Sequence, residues 1–162
     1  MPRGAADTVF ATKLAQLRYH QRGMIVVDTN VFVGACMGVG ASARIVELCL
    51  QGSLQPVMGS ALLLEYEDVL ARPALFADCR LAAAERDELL DIFLARCAWI
   101  KTYFAWRPNL RDEADNHIVE LAVAAGASHI VTWNVRDFAA MELRFPALRT
   151  VTPAQFLKEH TP

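Results

Sequence analysis

Met24-Ile25-Val26-Val27-Asp28-Thr29-Asn30-Val31-Phe32-Val33 is the stretch around which the rest of this chain is read: four apolar residues, three of them branched, run straight into an acid. A continuous apolar run of this kind suits a strand buried on both faces, as in a parallel sheet. In open parallel sheets ligands collect beyond the carboxyl ends of the strands. Asp28 is expected there, with Thr29 and Asn30 turning the chain. The plain alternative is that Asp28 only caps a helix or turn.

Working outward, 162 residues with a hydrophobic fraction of 54% fit one domain with a sizeable core. Residues 1–23 read as an N-terminal extension, with a short helix over Thr8–Tyr19, and residues 24–160 as the folded domain. No run approaches the length of a membrane span and no signal-peptide pattern opens the chain, so a cytoplasmic protein without membrane contact is expected. Cys36, Cys49, Cys79 and Cys97 are scattered without a C-x-x-C pair, as expected for reduced thiols. A net charge of −2 argues against broad, charge-driven binding of nucleic acid, though not against a local site where a metal supplies the positive charge.

Downstream, short apolar strands alternate with amphipathic helices. Strands are expected at Leu54–Met58, Trp99–Ile100, His129–Thr132 and Leu148–Val151. Helices are expected from an N-cap at Ser42 to Gly52, over Ala61–Ala71 and Leu81–Cys97, from Asp112 to Gly126, and from Pro153 to Lys158. Gly34, Gly38 and Gly40 read as a flexible connection. They form neither a Walker loop nor G-x-G-x-x-G. Phe104 to Arg111 forms an aromatic and basic loop suited to a hairpin, a lid or nucleic-acid contact. The alternation predicts an α/β fold with a parallel sheet.

That topology gathers the acids. Asp28, Thr132, Asn134 and Asp137 follow strands directly. Glu65 shares the buried helix face of Leu62 and Val69, whereas Glu67 and Asp68 point away. Asp115 falls on the face of Ile118 and Ala122. Carboxylates held together raise one another's pKa values and recruit a divalent cation, and oxygen donors favour Mg2+ or Mn2+ over zinc. His20, His117, His129 and His160 show no ligand spacing and read as structural or exposed.

Four blocks in order then resemble the PIN-domain family, especially toxins of bacterial toxin–antitoxin systems. They are Val26 to Phe32; Leu64-Glu65-Tyr66; Asp112-Glu113-Ala114-Asp115-Asn116 with Glu120-Leu121-Ala122 and Ala125-Gly126-Ala127; and Ile130 to Phe138. Pro153-Ala154-Gln155-Phe156 also fits, so the likeness spans Met24 to Lys158. The resemblance implies a three-layer, Rossmann-like α/β/α sandwich and a metal-dependent endoribonuclease using Mg2+ or Mn2+. It implies Asp28, Glu65 and Asp115 as catalytic metal ligands, with Asp112 as an additional acid. Family members often carry an acid where Asn134 stands, while Asp137 remains as a fourth candidate. Asn30, Thr132 and Asn134 would support these ligands, and Arg136 would contact phosphate. The partners implied are an RNA substrate, a cognate antitoxin and a second copy of the chain in a homodimer.

Two other functions compete. A phosphatase of the haloacid dehalogenase kind also begins with a strand-end Asp, but it needs D-x-D, and Asn30 occupies the second position. A non-catalytic PIN-like domain that binds RNA or a protein partner would follow if Asn134 weakens the metal site.

Overall fold

A computed structural model describes residues 23–102, 115–139 and 145–160. The extension up to Arg22, the Phe104–Arg111 loop and Asp112 lie outside the described residues.

Five short strands form one parallel sheet: β1 (Met24–Val27), β2 (Gln55–Met58), β3 (Ala98–Trp99), β4 (His129–Val131) and β5 (Arg149–Val151), in the order β3-β2-β1-β4-β5. Seven helices accompany them among the described residues: α1 (Thr29–Cys36), α2 (Gly40–Leu50), α3 (Ser60–Leu70), α4 (Ala83–Arg96), α5 (Asn116–Ala125), α6 (Val135–Ala139) and α7 (Pro153–His160). The arrangement is the expected α/β/α sandwich. Among these residues no single helix is long and apolar enough to cross a membrane.

β1 lies at the centre because its side chains tolerate no water. Ile25, Val26 and Val27 are buried, as are Ile130 and Val131 on β4. Val26 pairs with Ile130 and Val27 with Val131. The ladder continues one residue past β1, where the Asp28 amide donates to the Val131 carbonyl at 3.0 Å. From β1 the chain runs outward to β2 and β3, then returns to β4 and β5 on the other side. The strand order therefore reverses between β1 and β4, the point at which a crevice opens in such sheets.

The aromatic core fixes the helices to that centre. Phe32 of α1, Tyr66 of α3 and Phe93 of α4 pack with ring centroids 5.3–6.1 Å apart. The buried Tyr66 hydroxyl donates to the Val27 carbonyl at 2.7 Å, which ties α3 to the last residue of β1.

Several expectations change. Thr29 and Asn30 do not turn the chain; they begin α1, which continues to Cys36. The β-branched and aromatic run at Val31–Val33 resembles a strand by propensity, but Val31, Phe32 and Cys36 are buried along a helix, so tertiary burial overrides local preference. Ser42 is not a cap. α2 starts at Gly40, and Ser42 is buried inside it. The residues after β4 include the short helix α6, which the sequence did not announce. Gly126 ends α5 in the left-handed conformation (φ 63°), which glycine adopts without steric penalty.

Candidate active site

At the reversal point, the chain end of β1 delivers Asp28 and the chain end of β4 delivers Thr132. Asp28 occupies the N-cap position of α1 but makes no side-chain capping bond. Its carboxylate turns to β4: the Thr132 hydroxyl donates to Asp28 Oδ2 at 2.7 Å. Asn30, in the first turn of α1, donates from Nδ2 to the same oxygen at 3.3 Å and to Thr132 Oγ1 at 3.3 Å. The backbone behind Thr132 closes the network. The Asn134 amide donates to Thr132 Oγ1 at 3.0 Å, and the Trp133 amide donates to Asn30 Oδ1 at 3.2 Å.

Asp28 is only 4% exposed and Thr132 fully buried. Burial is the largest influence on Asp28 and raises its pKa above the ordinary carboxylate value; nearby Glu65 raises it further. The Thr132 hydrogen bond, the Thr29 amide and His117 pull the other way without overcoming burial. A carboxylate that must shed its charge or find a positive partner is characteristic of functional clefts.

Glu65 comes from α3, one residue before the Tyr66 that anchors this helix to β1. Half-buried, it sits with Oε2 2.9 Å from His117 Nε2 on α5. That distance makes an ion pair when the imidazole is protonated. The approach lacks hydrogen-bond alignment, however, and Glu65 Oε2 and His117 Nδ1 are both buried without a hydrogen-bond partner among the described residues. Asp115 holds the N-cap position of the same α5, half-buried, and its side chain does not cap the helix.

The structure thus joins Asp28, Asn30, Thr132 and the Asn134 amide in one hydrogen-bonded network, with Glu65 and His117 close enough to act on the charge of Asp28. Asp137 and Arg136 are exposed on α6 and take no part in this hydrogen-bonded network; the Asp137 amide donates to the Asn134 carbonyl at 3.1 Å. Among the described residues no three His, Cys, Asp or Glu side chains are gathered as a metal-binding group. The donors at Asp28 and Glu65 nonetheless suit a hard cation, being buried carboxylate oxygens with one Glu65 oxygen lacking a hydrogen bond.

His117 is the residue that sequence reasoning passed over. Its spacing matches no ligand motif, because its partner lies on a different helix. The one available signal was its position two residues after Asp115, near the start of a helix expected to face the site.

The profile of the PIN domain matches residues 24–136. The chain belongs to the PIN-domain family. Its fold is also similar to a solved chain of VapBC2 from Rickettsia felis, crystallised bound to a DNA fragment from their promoter. The TM-score is 0.53 at 18% identity, with 80% of this chain and 98% of that chain covered. A comparison with curated proteins finds no match.

Proposed function

We propose that this PIN domain is a metal-dependent endoribonuclease, the toxin of a type II toxin–antitoxin pair. The observation that carries this reading is the buried Asp28, held by Thr132 and Asn30 at the strand-order reversal and faced by Glu65. PIN domains are mostly nucleases, and VapBC2, to which the fold is similar, supports a cognate antitoxin as partner. A homodimer and a cytoplasmic location belong to the same proposal.

In this reading Asp28 and Glu65, with Asp115 at the head of α5, hold Mg2+ or Mn2+; Asp137 and Asp112 are the remaining acidic candidates. The cation would supply charge stabilisation to the scissile phosphate and make an attacking water more acidic. The chain's own contribution is orientation. Two donors on one oxygen, Thr132 Oγ1 and Asn30 Nδ2, fix the rotation of the Asp28 carboxylate, which a freely turning side chain would have to lose at the moment of reaction. Thr132 is itself fixed by the Asn134 amide. Glu65 and His117, 2.9 Å apart across α3 and α5, flank Asp28 and act on its charge in opposite senses. Arg136 is a phosphate contact in this proposal.

The test is cleavage of a single-stranded RNA in Mn2+ against EDTA, with Mn2+ calorimetry on the same protein. Metal-dependent cleavage that disappears in Asp28→Asn is expected. A folded protein that binds Mn2+ but leaves RNA intact would remove the ribonuclease reading. The lack of a gathered three-residue metal group among the described residues favours a second reading, a non-catalytic PIN-like binding domain. RNA binding without Mn2+ binding would select it.

A further inference from the structure

Trp133 follows Thr132 directly and is built into the site more firmly than its exposure suggests. Its amide donates to Asn30 Oδ1, and its indole Nε1–H donates to the buried Ser42 hydroxyl on α2 at 2.9 Å. α1 leaves room for this bond. A Cβ on Gly34 would stand 2.6 Å from Ser42 Oγ and 3.6 Å from the indole nitrogen, so a side chain there would push the hydroxyl from its place. Both N–H groups of Trp133 are therefore satisfied by the protein, yet 41% of the residue remains exposed. Buried aromatics gain their stability by covering apolar area. Here the polar edge is tied down and ring surface is left to solvent, one residue (~3.8 Å between consecutive Cα atoms) from the Thr132 that touches Asp28.

We propose that the Trp133 indole, fixed by Ser42 beside Asp28, is a stacking platform for an unpaired base of the RNA adjoining the phosphate bound at the site. This rests on the ribonuclease reading and adds a substrate preference to it: single-stranded RNA whose local base is free to leave its neighbours. Aromatic stacking suits this role because every base presents a π face. Neighbouring residues favour nucleic acid over a protein partner. Asn134, Arg136 and Asp137 are all exposed and polar, and Arg136 supplies a cation on the same segment.

The experiment uses a fluorescein-labelled ten-nucleotide single-stranded RNA. Binding is followed by anisotropy in EDTA, and KM and kcat for cleavage are measured in Mn2+. Trp133→Ala is expected to raise both Kd and KM about tenfold, a loss in the range of one stacked base, with kcat nearly unchanged. Trp133→Phe should recover most of the affinity, since it keeps a ring without the Ser42 bond. A scan of single abasic positions with the unaltered protein should find one position where removing the base weakens binding, and at that position Trp133→Ala should weaken binding no further. Equal affinity of the Ala variant and the wild type, a Phe variant no better than Ala, or an abasic scan without a distinct position would each overturn the proposal. Unchanged RNA binding together with a shift from dimer to monomer in sedimentation would reassign the ring to a contact between copies and overturn it too. Wild-type protein that neither binds nor cuts RNA would defeat the ribonuclease reading and the platform with it. Cleavage indifferent to Trp133 would defeat the platform alone.

Discussion

The two ends of β4 carry two buried polar clusters and treat them in opposite ways. At the carboxyl end, Thr132 reaches Asp28 across to β1, and burial raises the acid's pKa. At the amino end, His129 is buried beside Ser128, whose Oγ lies 2.8 Å from His129 Nδ1, and it meets the Phe156 and His160 rings edge-on at 5.1 Å. Burial there lowers the imidazole pKa, helped by His160 and Arg149, while Glu159 opposes the shift. Both ends disfavour charge, but the acid at the amino end, Glu159, is paired with Arg149, whereas at the carboxyl end Glu65 adds to the negative charge around Asp28. His129 is plugged by α7, its Nε2 buried with no hydrogen-bond partner among the described residues. The same strand thus has an amino end whose polar group serves packing and a carboxyl end whose acids suit chemistry.

The largest effects should fall at the carboxyl end. Asp28→Asn and Asp115→Asn should each abolish RNA cleavage, a loss of ~100-fold or more as for removal of a transition-state electrostatic group. Asp28→Asn should also raise the melting temperature at neutral pH. The raised pKa means the folded protein holds its proton more tightly than the unfolded chain. Stability is therefore lost as pH rises from the ordinary Asp value through the folded one, and the amide has nothing to lose. A melt and a cleavage assay on each variant check both halves; full activity in either would unseat the site.

Next comes Thr132→Val, which keeps the shape and deletes the hydroxyl between Asp28, Asn30 and the Asn134 amide. Activity should fall about 10–100-fold, the usual cost of losing a group that orients a metal ligand. Stability should fall by about 1–3 kcal/mol, because buried polar partners are left unmatched. Denaturant unfolding and kcat/KM separate the two effects.

A smaller difference is expected on α6. Asp137→Asn should weaken Mn2+ binding about tenfold, or roughly 1.4 kcal/mol. Asn134→Ala should weaken it less, since an amide brings no net charge and the structural bond of Asn134 uses its backbone. Calorimetry giving the reverse order would return the position to Asn134.

The smallest effect on chemistry should come from the amino end. His129→Phe should leave kcat/KM unchanged within about twofold, a difference of ~0.4 kcal/mol. The wild-type His129 is held neutral below its ordinary pKa, so stability falls as pH drops from that ordinary value through the lowered one. The Phe variant should lose that part of the acid dependence, visible in melts as pH falls below the ordinary imidazole value of about 6.5. A pH profile identical to wild type would show that the imidazole is not the buried titrating group.

Much of the architecture was legible because parallel strands advertise themselves. Ile25–Val27 and His129–Val131 are short apolar runs bounded by polar residues, and the helices between them have apolar faces of the right period. α1 was not legible because Val31-Phe32-Val33 has the composition of a strand, and only burial around Phe93 and Tyr66 makes it helical. At the site, the sequence offered Asp28 and the inward face of Glu65. It could not offer His117 against Glu65, nor Ser42 beneath Trp133, since each pair meets only after distant helices pack. Ser42 carries the further lesson that a serine near a helix start is read as a cap until its hydroxyl is seen facing inward.

The Tyr66 hydroxyl on the Val27 carbonyl has a consequence for anyone wishing to transplant this constellation. Glu65 and Tyr66 are adjacent on one helix, so the acid and the phenol that gauges its distance from β1 travel as a pair. A designer who copied the acids onto a new scaffold without the phenol, and without the Phe32 and Phe93 rings that brace it, would inherit the ligands and lose the ruler that spaces them.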